Sequence, residues 1–318
     1  MVRLGYALSS EEHSPSDLIR NAARAEELDF EFVSLSDHYH PWISAQGHSP
    51  FVWNVLGGIA EATDEIEVGT GVTCPIIRIH PAIIAQAAAT TAAMMPDRFY
   101  FGVGTGENLN EHVVGERWPS HAIRLDMLAE AIEIVRDLWD GEEHNHYGDH
   151  FTVENARLFT VPDEAPPIHV AAGGTQSATA AGELGDGLIA TSPNEELVEA
   201  FSETAGKDAP RIGQLSVCWH EDEQTAVEIA HEQWPNSSLP GQLSQDIPTP
   251  AHFEQAATLL DPADVEADVV CGPDADEHIE AIEEYVEAGY DHVYIHQVGP
   301  DQETFFDAYA EDVLPSFR

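Results

Sequence analysis

The chain has 318 residues, 43% of them apolar and 8% aromatic, enough for one large packed α/β domain. It carries 58 acidic residues against 12 basic ones, only one of them a lysine (Lys207), for a net charge of −46. That charge makes nucleic acid and anionic membranes poor partners, and the apolar fraction is too high for a disordered acidic chain.

Short β-rich runs alternate with amphipathic helical patterns along nearly the whole length. Val2–Leu8 reads as a strand, and Pro15–Leu28 as a helix with Ser14 at its N-cap and Asp17 completing a variant capping box. Phe32–Ser36 is the second strand, followed by a helix over Val52–Thr63. Ile66–Val72 is the third, followed by Pro81–Met95, with Pro at an allowed first helical position. Phe99–Val103 is the fourth, before a longer helix over Ala122–Trp139 ended by Gly141. A polar, His-rich excursion from His144 to Thr160 suits a small hairpin. Ile168–Ala172, Gly187–Ala190 and Ile212–Trp219 are the fifth to seventh strands, with helices after Gly174, from Asn194 and over Glu223–Trp234. Pro-rich, polar material over Pro235–Asp274 and a helix over Glu277–Ala288 precede the eighth strand, His292–His296, and a last helix, Gln302–Leu314.

Eight strand-then-helix units without a Pro/Gly linker predict one (β/α)8 TIM-barrel domain over 1–318, with insertions after strands 4 and 7, the second at 235–274. An open doubly wound sheet is the competing arrangement. No repeat of solenoid period is visible. Cys74, Cys218 and Cys271 are far apart and form no C-x-x-C, which fits neither a disulfide framework nor a thiolate zinc site. No leader pattern precedes Val2–Tyr6, and no window approaches the roughly 18 apolar residues of a membrane span. A surface this acidic is best tolerated where salt shortens the Debye length to about 3 Å at 1 M. The expectation is a cytoplasmic protein of a salt-rich cell.

In such a barrel, chemistry sits where strands run out into the following loops. The second strand hands over Asp37, His38 and Trp42 ahead of a stop at Pro41. The third hands over Gly69 to Pro75, the fourth Gly102 to Asn110, and the fifth Ala171 to Gln176. Glycines at three strand ends suit backbone approaching a flat or phosphorylated ligand, although alone they equally mark tight turns. An anion could rest on the helix start after Gly174. His38 suits a general base, Glu107 an acid or a helix cap, and Trp42 a water-excluding wall. His38, His40 and His48 lack the spacing of a metal site, and His144, His146 and His150 read as solvated. No metal is expected.

Three stretches together carry a family resemblance: Ser36-Asp37-His38-Tyr39-His40-Pro41-Trp42, His80-Pro81-Ala82-Ile83-Ile84-Ala85-Gln86 and Gly102-Val103-Gly104-Thr105-Gly106-Glu107-Asn108-Leu109-Asn110-Glu111. They resemble the F420-dependent glucose-6-phosphate dehydrogenase group of the luciferase-like superfamily. The likeness weakens through Pro193–Asp274. It implies a TIM barrel, homodimeric, with coenzyme F420 at the strand C-termini and a non-prolyl cis peptide at Gly71–Val72 against the deazaflavin ring. His38 would take the substrate hydroxyl proton, Glu107 would serve the ring as acid, and Trp42 would stabilise the transition state. Asp37, His38, Gly71, Val72, Thr73, Thr105, Gly106, Glu107, Asn110, Gly173, Gly174 and Thr175 would hold the cofactor.

The lysines with which that group holds a substrate phosphate fall in Pro193–Asp274, where this chain has only Lys207. The stretch from His292 to Gly299 resembles a branch that uses FMN. The leading expectation is an F420-dependent oxidoreductase acting on a small hydroxyl or carbonyl compound: a sugar, sugar phosphate or alcohol. The alternatives are an FMN-dependent monooxygenase of the same fold and a non-catalytic flavin-binding protein.

Overall fold

Parallel strands covered by helices are buried on both faces, and most strands here are short and apolar to match. A computed structural model describes residues 2–239 and 241–318; Met1, and Pro240 within the expected insertion, lie outside the described residues. The strands are β1 (Arg3–Leu8), β2 (Phe32–Leu35), β3 (Glu67–Thr70), β4 (Phe99–Val103), β5 (His144–Tyr147), β6 (Thr152–Ala156), β7 (Ile168–Ala171), β8 (Gly187–Ala190), β9 (Arg211–Cys218), β10 (Val270–Cys271) and β11 (His292–Gln297).

Strands β1, β2, β3, β4, β7, β8, β9 and β11 pair in that order, all parallel, and β11 returns to β1 with Gly5 opposite Tyr294. The sheet is therefore a closed eight-stranded barrel and not an open doubly wound one. One edge of β9 pairs with β11 over most of its length. Its other edge is shared: Arg211 to Gly213 pair with β8, and Val217 and Cys218 pair with β10. The short β10 thus fastens the end of the insertion to the barrel rim. The His-rich excursion is the antiparallel hairpin β5–β6. Its His146 lies 3.0 Å from Glu130 and its His144 2.9 Å from Asp140.

The barrel interior is plugged by Phe32, Tyr100, Ile189, Ile212 and Tyr294, with Ala7 filling between them. Large rings from one strand need small residues on the next. A Cβ on Gly5 would fall 2.6 Å from the Phe32 ring, and one on Gly69 2.0 Å from Tyr100. Leu4, Tyr6 and Leu8, alternating with Gly5 and Ala7 along β1, face the outer core beneath the helices. The plug separates a small cavity of about 170 Å³ at the N-terminal ends, lined by Arg3, Glu67 and His169, from the larger space at the C-terminal ends of the strands.

Helix starts follow local chemistry. Ser14 Oγ accepts the Asp17 N–H at the head of Pro15–Glu27, and Asn194 Oδ1 accepts the Glu196 and Leu197 N–H groups ahead of Glu195–Ala205. The expected third strand stops early, at Thr70. The chain then passes a cis Gly71–Val72 peptide and rejoins β4 through Thr73, whose N–H donates to Gly102 O at 2.9 Å.

The insertion is more ordered than its composition suggests. It holds short helices at Pro235–Ser238, Leu243–Asp246, Pro250–Ala257 and Pro262–Glu266. Ile247 and Phe253 pack with Ile43 and Leu109 from the loops after β2 and β4. Among the described residues, no helix is long and apolar enough to cross a membrane.

Candidate active site

A cavity of about 990 Å³ opens at the C-terminal end of the barrel. His38, Trp42 and Glu107 all line it, from the loops after β2 and β4. So do Gly71 and Val72 after β3, Thr105 and Gly106 after β4, and Gly173, Gly174 and Thr175 after β7. Asp37, Thr73 and Asn110 do not; they lie behind the wall, where they brace it.

His38 is set by two acceptors. Its Nδ1 lies 3.2 Å from Glu11 Oε1 and 3.3 Å from the carbonyl oxygen of His40. Both neighbours are acceptors, so Nδ1 carries a hydrogen, and in the neutral ring the lone pair is at Nε2. Glu11 stands in the loop after β1 and is 2% exposed. Its other oxygen accepts from Ser36 Oγ at 2.6 Å and Ser9 Oγ at 3.2 Å. These bonds compensate a carboxylate otherwise costly to bury.

Trp42 packs edge-on to the His38 imidazole at 4.8 Å and to Phe253 of the insertion at 5.1 Å. Its N–H group on the backbone donates to Gln46 Oε1 at 2.8 Å. Gln46 Nε2 in turn reaches Gln233 O and Asn236 Oδ1, tying this loop to the segment after the helix Glu223–Gln233. Glu107 is half-buried beside Asn110, whose Nδ2 donates to Glu107 Oε2 at 3.4 Å.

Behind the wall runs a chain of buried charge. Asp37 accepts from Arg78 Nη2 at 2.7 Å and from Thr73 Oγ1 at 2.9 Å. Glu111 Oε2 accepts the Arg78 backbone N–H at 2.7 Å, and its other oxygen lies 3.6 Å from Arg78 Nε. One guanidinium so serves two carboxylates. Burial pushes the Glu111 carboxyl up to about 7; Arg78 pulls against this, and Asp37 and Glu107 add to it. Asn110 Oδ1 accepts the backbone N–H groups of Tyr39 and His40. The loops after β2, β3 and β4 are thereby locked together, and His38 and Glu107 with them.

On the opposite wall, Gly173 and Gly174 lead into the helix Thr175–Leu184. A Cβ on either glycine would meet nothing within 4 Å, and Gly174 caps the helix with no side chain. The free N–H groups at Thr175, Gln176 and Ser177 give a seat for an anion. Across the cleft, Val72 and Ala171 close over Gly104, where a Cβ would come 2.8 Å from Val72 Cγ2.

A second imidazole–carboxylate pair shares the cavity. His296, from β11, places Nε2 2.7 Å from Glu12 Oε2, with Nδ1 3.5 Å from Ser216 Oγ. Gly299 N donates to the other Glu12 oxygen at 2.9 Å. Burial alone would raise the Glu12 carboxyl, but the bond and charge of His296 hold it below the ordinary carboxylate range. Trp234 packs edge-on to His296 at 4.3 Å.

Glu11, Glu12, Arg78 and His296 were not singled out in the sequence, and Glu111 appeared only within a motif. Their one local signal is position just past a strand, or at its end. The three cysteines are buried and free; burial pushes the Cys218 and Cys271 thiols up to about 12 and leaves them unreactive. No group of three His, Cys, Asp or Glu among the described residues could hold a metal ion.

A sequence model described as luciferase-like monooxygenase matches residues 1–292. An F420-dependent glucose-6-phosphate dehydrogenase of Kribbella flavida is 36% identical, covering 100% of this chain and 98% of that protein. One from Microbacterium testaceum is 34% identical over the same shares. Among solved structures, an F420-dependent secondary alcohol dehydrogenase in complex with an F420–acetone adduct superposes with a TM-score of 0.93 at 32% identity, covering 100% of this chain and 99% of that one. A coenzyme F420-dependent tetrahydromethanopterin reductase from Methanopyrus kandleri, at 21% identity and TM-score 0.80, shares the fold.

Proposed function

This chain belongs to the luciferase-like monooxygenase family, and on that footing we propose that His38, Trp42 and Glu107 serve an F420-dependent hydride transfer to or from a small hydroxyl or carbonyl compound. The protein is an F420-dependent oxidoreductase of the glucose-6-phosphate dehydrogenase-like branch. The observation that carries the residue roles is the cavity: a base with a fixed tautomer, an acid and an aromatic wall face a cleft whose glycines leave room for a ring and a phosphate.

The residues present fit a deazaflavin. Val72, Gly104 and Ala171 offer its ring a wall, and Gly173, Gly174 and the helix start at Thr175 offer its phosphate a seat. When bound, the deazaflavin supplies the carbon that accepts or returns the hydride. His38 Nε2 takes the hydroxyl proton of an alcohol as its C–H bond breaks, and returns it in the reverse direction. Glu11 holds the imidazole upright and stabilises the imidazolium that forms, as the carboxylate of a catalytic triad does. Trp42 covers His38 and keeps water from the reacting carbon. Glu107 supplies a hydrogen bond or proton to the ring side of the cleft.

The protein is read as cytoplasmic and homodimeric, in a salt-rich cell, with no nucleic-acid or membrane partner. The support for this is its charge of −46 with a single lysine and, for the dimer, the family resemblance alone. Binding of F420 and of FMN, followed by fluorescence in molar KCl, tests the cofactor; FMN uptake without F420 uptake would overturn it. His38→Ala is expected to lose about 10²–10⁴-fold in turnover with F420 affinity kept. Unchanged turnover would remove His38 from its role.

A further inference from the structure

Two imidazole–carboxylate units open onto one cavity, and proton transfer at His38 uses only one of them. They are built alike. Strand β1 lies between β11 and β2, so the consecutive residues Glu11 and Glu12 at its exit diverge to either side. Glu11 meets His38 after β2, and Glu12 meets His296 on β11. Each imidazole has an indole edge against it, Trp42 at 4.8 Å and Trp234 at 4.3 Å. The Glu12 and His296 side chains are 3% and 2% exposed, yet His296 and Ser216 line the cavity.

The charge of the lining narrows what this second unit can meet. No described residue lining the cavity is a lysine or arginine, and Glu266, Asp268 and Glu284 stand on its wall. Away from the helix start at Thr175, an anionic substrate group would give up its hydration without gaining a counter-charge. Uncharged hydrogen-bonding groups are plentiful by contrast: Ser216, Gln214, Asn236 and Ser237 share that side with His296. A substrate with one oxygen needs His38 alone. With its ring nitrogens toward Glu12 and Ser216, His296 orients the Ser216 hydroxyl at the cavity wall, a donor and acceptor matched when the substrate carries further hydroxyl groups.

We propose that Glu12, His296 and Ser216 form a second hydrogen-bonding unit that positions an uncharged, polyhydroxylated substrate, and that this cavity discriminates against phosphorylated sugars. The claim rests on hydride transfer at His38 and adds the substrate class. Glu12 and His296 are positioning residues: they fix where the substrate's other oxygens lie, not where its proton goes.

The test uses the full chain in molar KCl, titrated calorimetrically with glucose and with glucose-6-phosphate, with and without F420. The expected result is glucose binding at least about tenfold tighter than glucose-6-phosphate. Glu12→Gln keeps the side-chain shape and removes the charge, and His296→Gln removes the ring. Each should weaken glucose binding about tenfold and raise its KM far more than it lowers kcat. A merely structural role would instead lower F420 affinity and thermal stability and leave no such split. Glucose-6-phosphate binding as tightly as glucose, no glucose binding by the parent, or unchanged glucose affinity in both variants overturns the proposal. Failure of the parent to take up F420 strikes the deazaflavin reading instead, and is read from a separate titration.

Discussion

Around the cavity, the loops after β2, β3 and β4 are cross-braced by buried charge, whereas the segment from Leu243 to Val269 is held by ring edges and single polar bonds. On the first side Arg78 and Asp37, with side chains 7% and 0% exposed, meet at 2.7 Å, and Glu111 closes the brace. On the second, Phe253 touches Trp42 edge-on, Glu254 accepts the Ser44 N–H, and Gln245 accepts from Arg124 Nη2. A buried ion brace tolerates little change, because removing one member strands the others. Ring edges and single polar bonds that pair no two buried charges can be exchanged at more modest cost. The loops that carry His38 and Glu107 are therefore firmly anchored, and the Leu243–Val269 side is freer to change.

The sharpest break of that contrast is Arg78→Met. It leaves Asp37 and Glu111 buried without their cation and should cost about 3–5 kcal/mol in urea unfolding at high salt. A cost below about 1 kcal/mol would show that the brace is not what locks these loops.

Glu111 adds a pH signature to the same side. Burial raises its folded-state value from 4.5 to about 7, so the folded chain holds this proton more tightly than the unfolded one. The stability it contributes is fully present below the unfolded value and is lost as pH rises through about 7. Relative to the permanently neutral Glu111→Gln, the parent should lose stability across that window, by at most about 1.4 kcal/mol per pH unit. Unfolding curves of both proteins from acid to neutral pH check the sign, and a gap that does not change with pH contradicts it.

On the other side, Phe253→Leu is expected to cost only about 1–2 kcal/mol. By loosening Trp42 it should raise the substrate KM severalfold while F420 affinity stays put. A fall in F420 affinity there would merge the two halves into one and end the distinction.

The two sides also differed in how far they could be read from sequence. The strand-end run from Ser36 to Trp42 and the glycine runs after β4 and β7 mark local backbone needs, and they showed directly. So did the barrel, because eight strand–helix alternations leave few closures. The cis Gly71–Val72 peptide came from the family resemblance, and the structure has it. Glu11 and Glu12 did not show, since two buried carboxylates among 58 acidic residues have no compositional mark. Arg78 pairs with Asp37 across 41 positions and His296 with Glu12 across 284, and such pairings leave no periodicity. Asp37, Thr73 and Asn110 were expected against the cofactor from the family resemblance. Asp37 accepts from Arg78 and from the Thr73 hydroxyl, and Asn110 accepts backbone N–H groups, pairings that only the folded loops reveal. The insertion read as polar filler because its helices are only four to eight residues long, too short for a helical period to register.

The smallest expected effect on stability belongs to Gly173→Ala, and it separates folding from binding most cleanly. A glycine can be required by a left-handed backbone, by a crowded neighbour or by a ligand. Gly173 is not among the positive-φ glycines, and a Cβ placed on it meets no protein atom within 4 Å. The first two reasons are therefore absent, and room for a bound molecule is the reason that remains. The substitution should leave unfolding free energy within about 0.5 kcal/mol of the parent. F420 affinity should fall by about tenfold, equivalent to about 1.4 kcal/mol. Undiminished F420 affinity would mean that the ligand does not pass over Gly173, and the route from the ring wall at Val72 to the helix start at Thr175 would have to be redrawn.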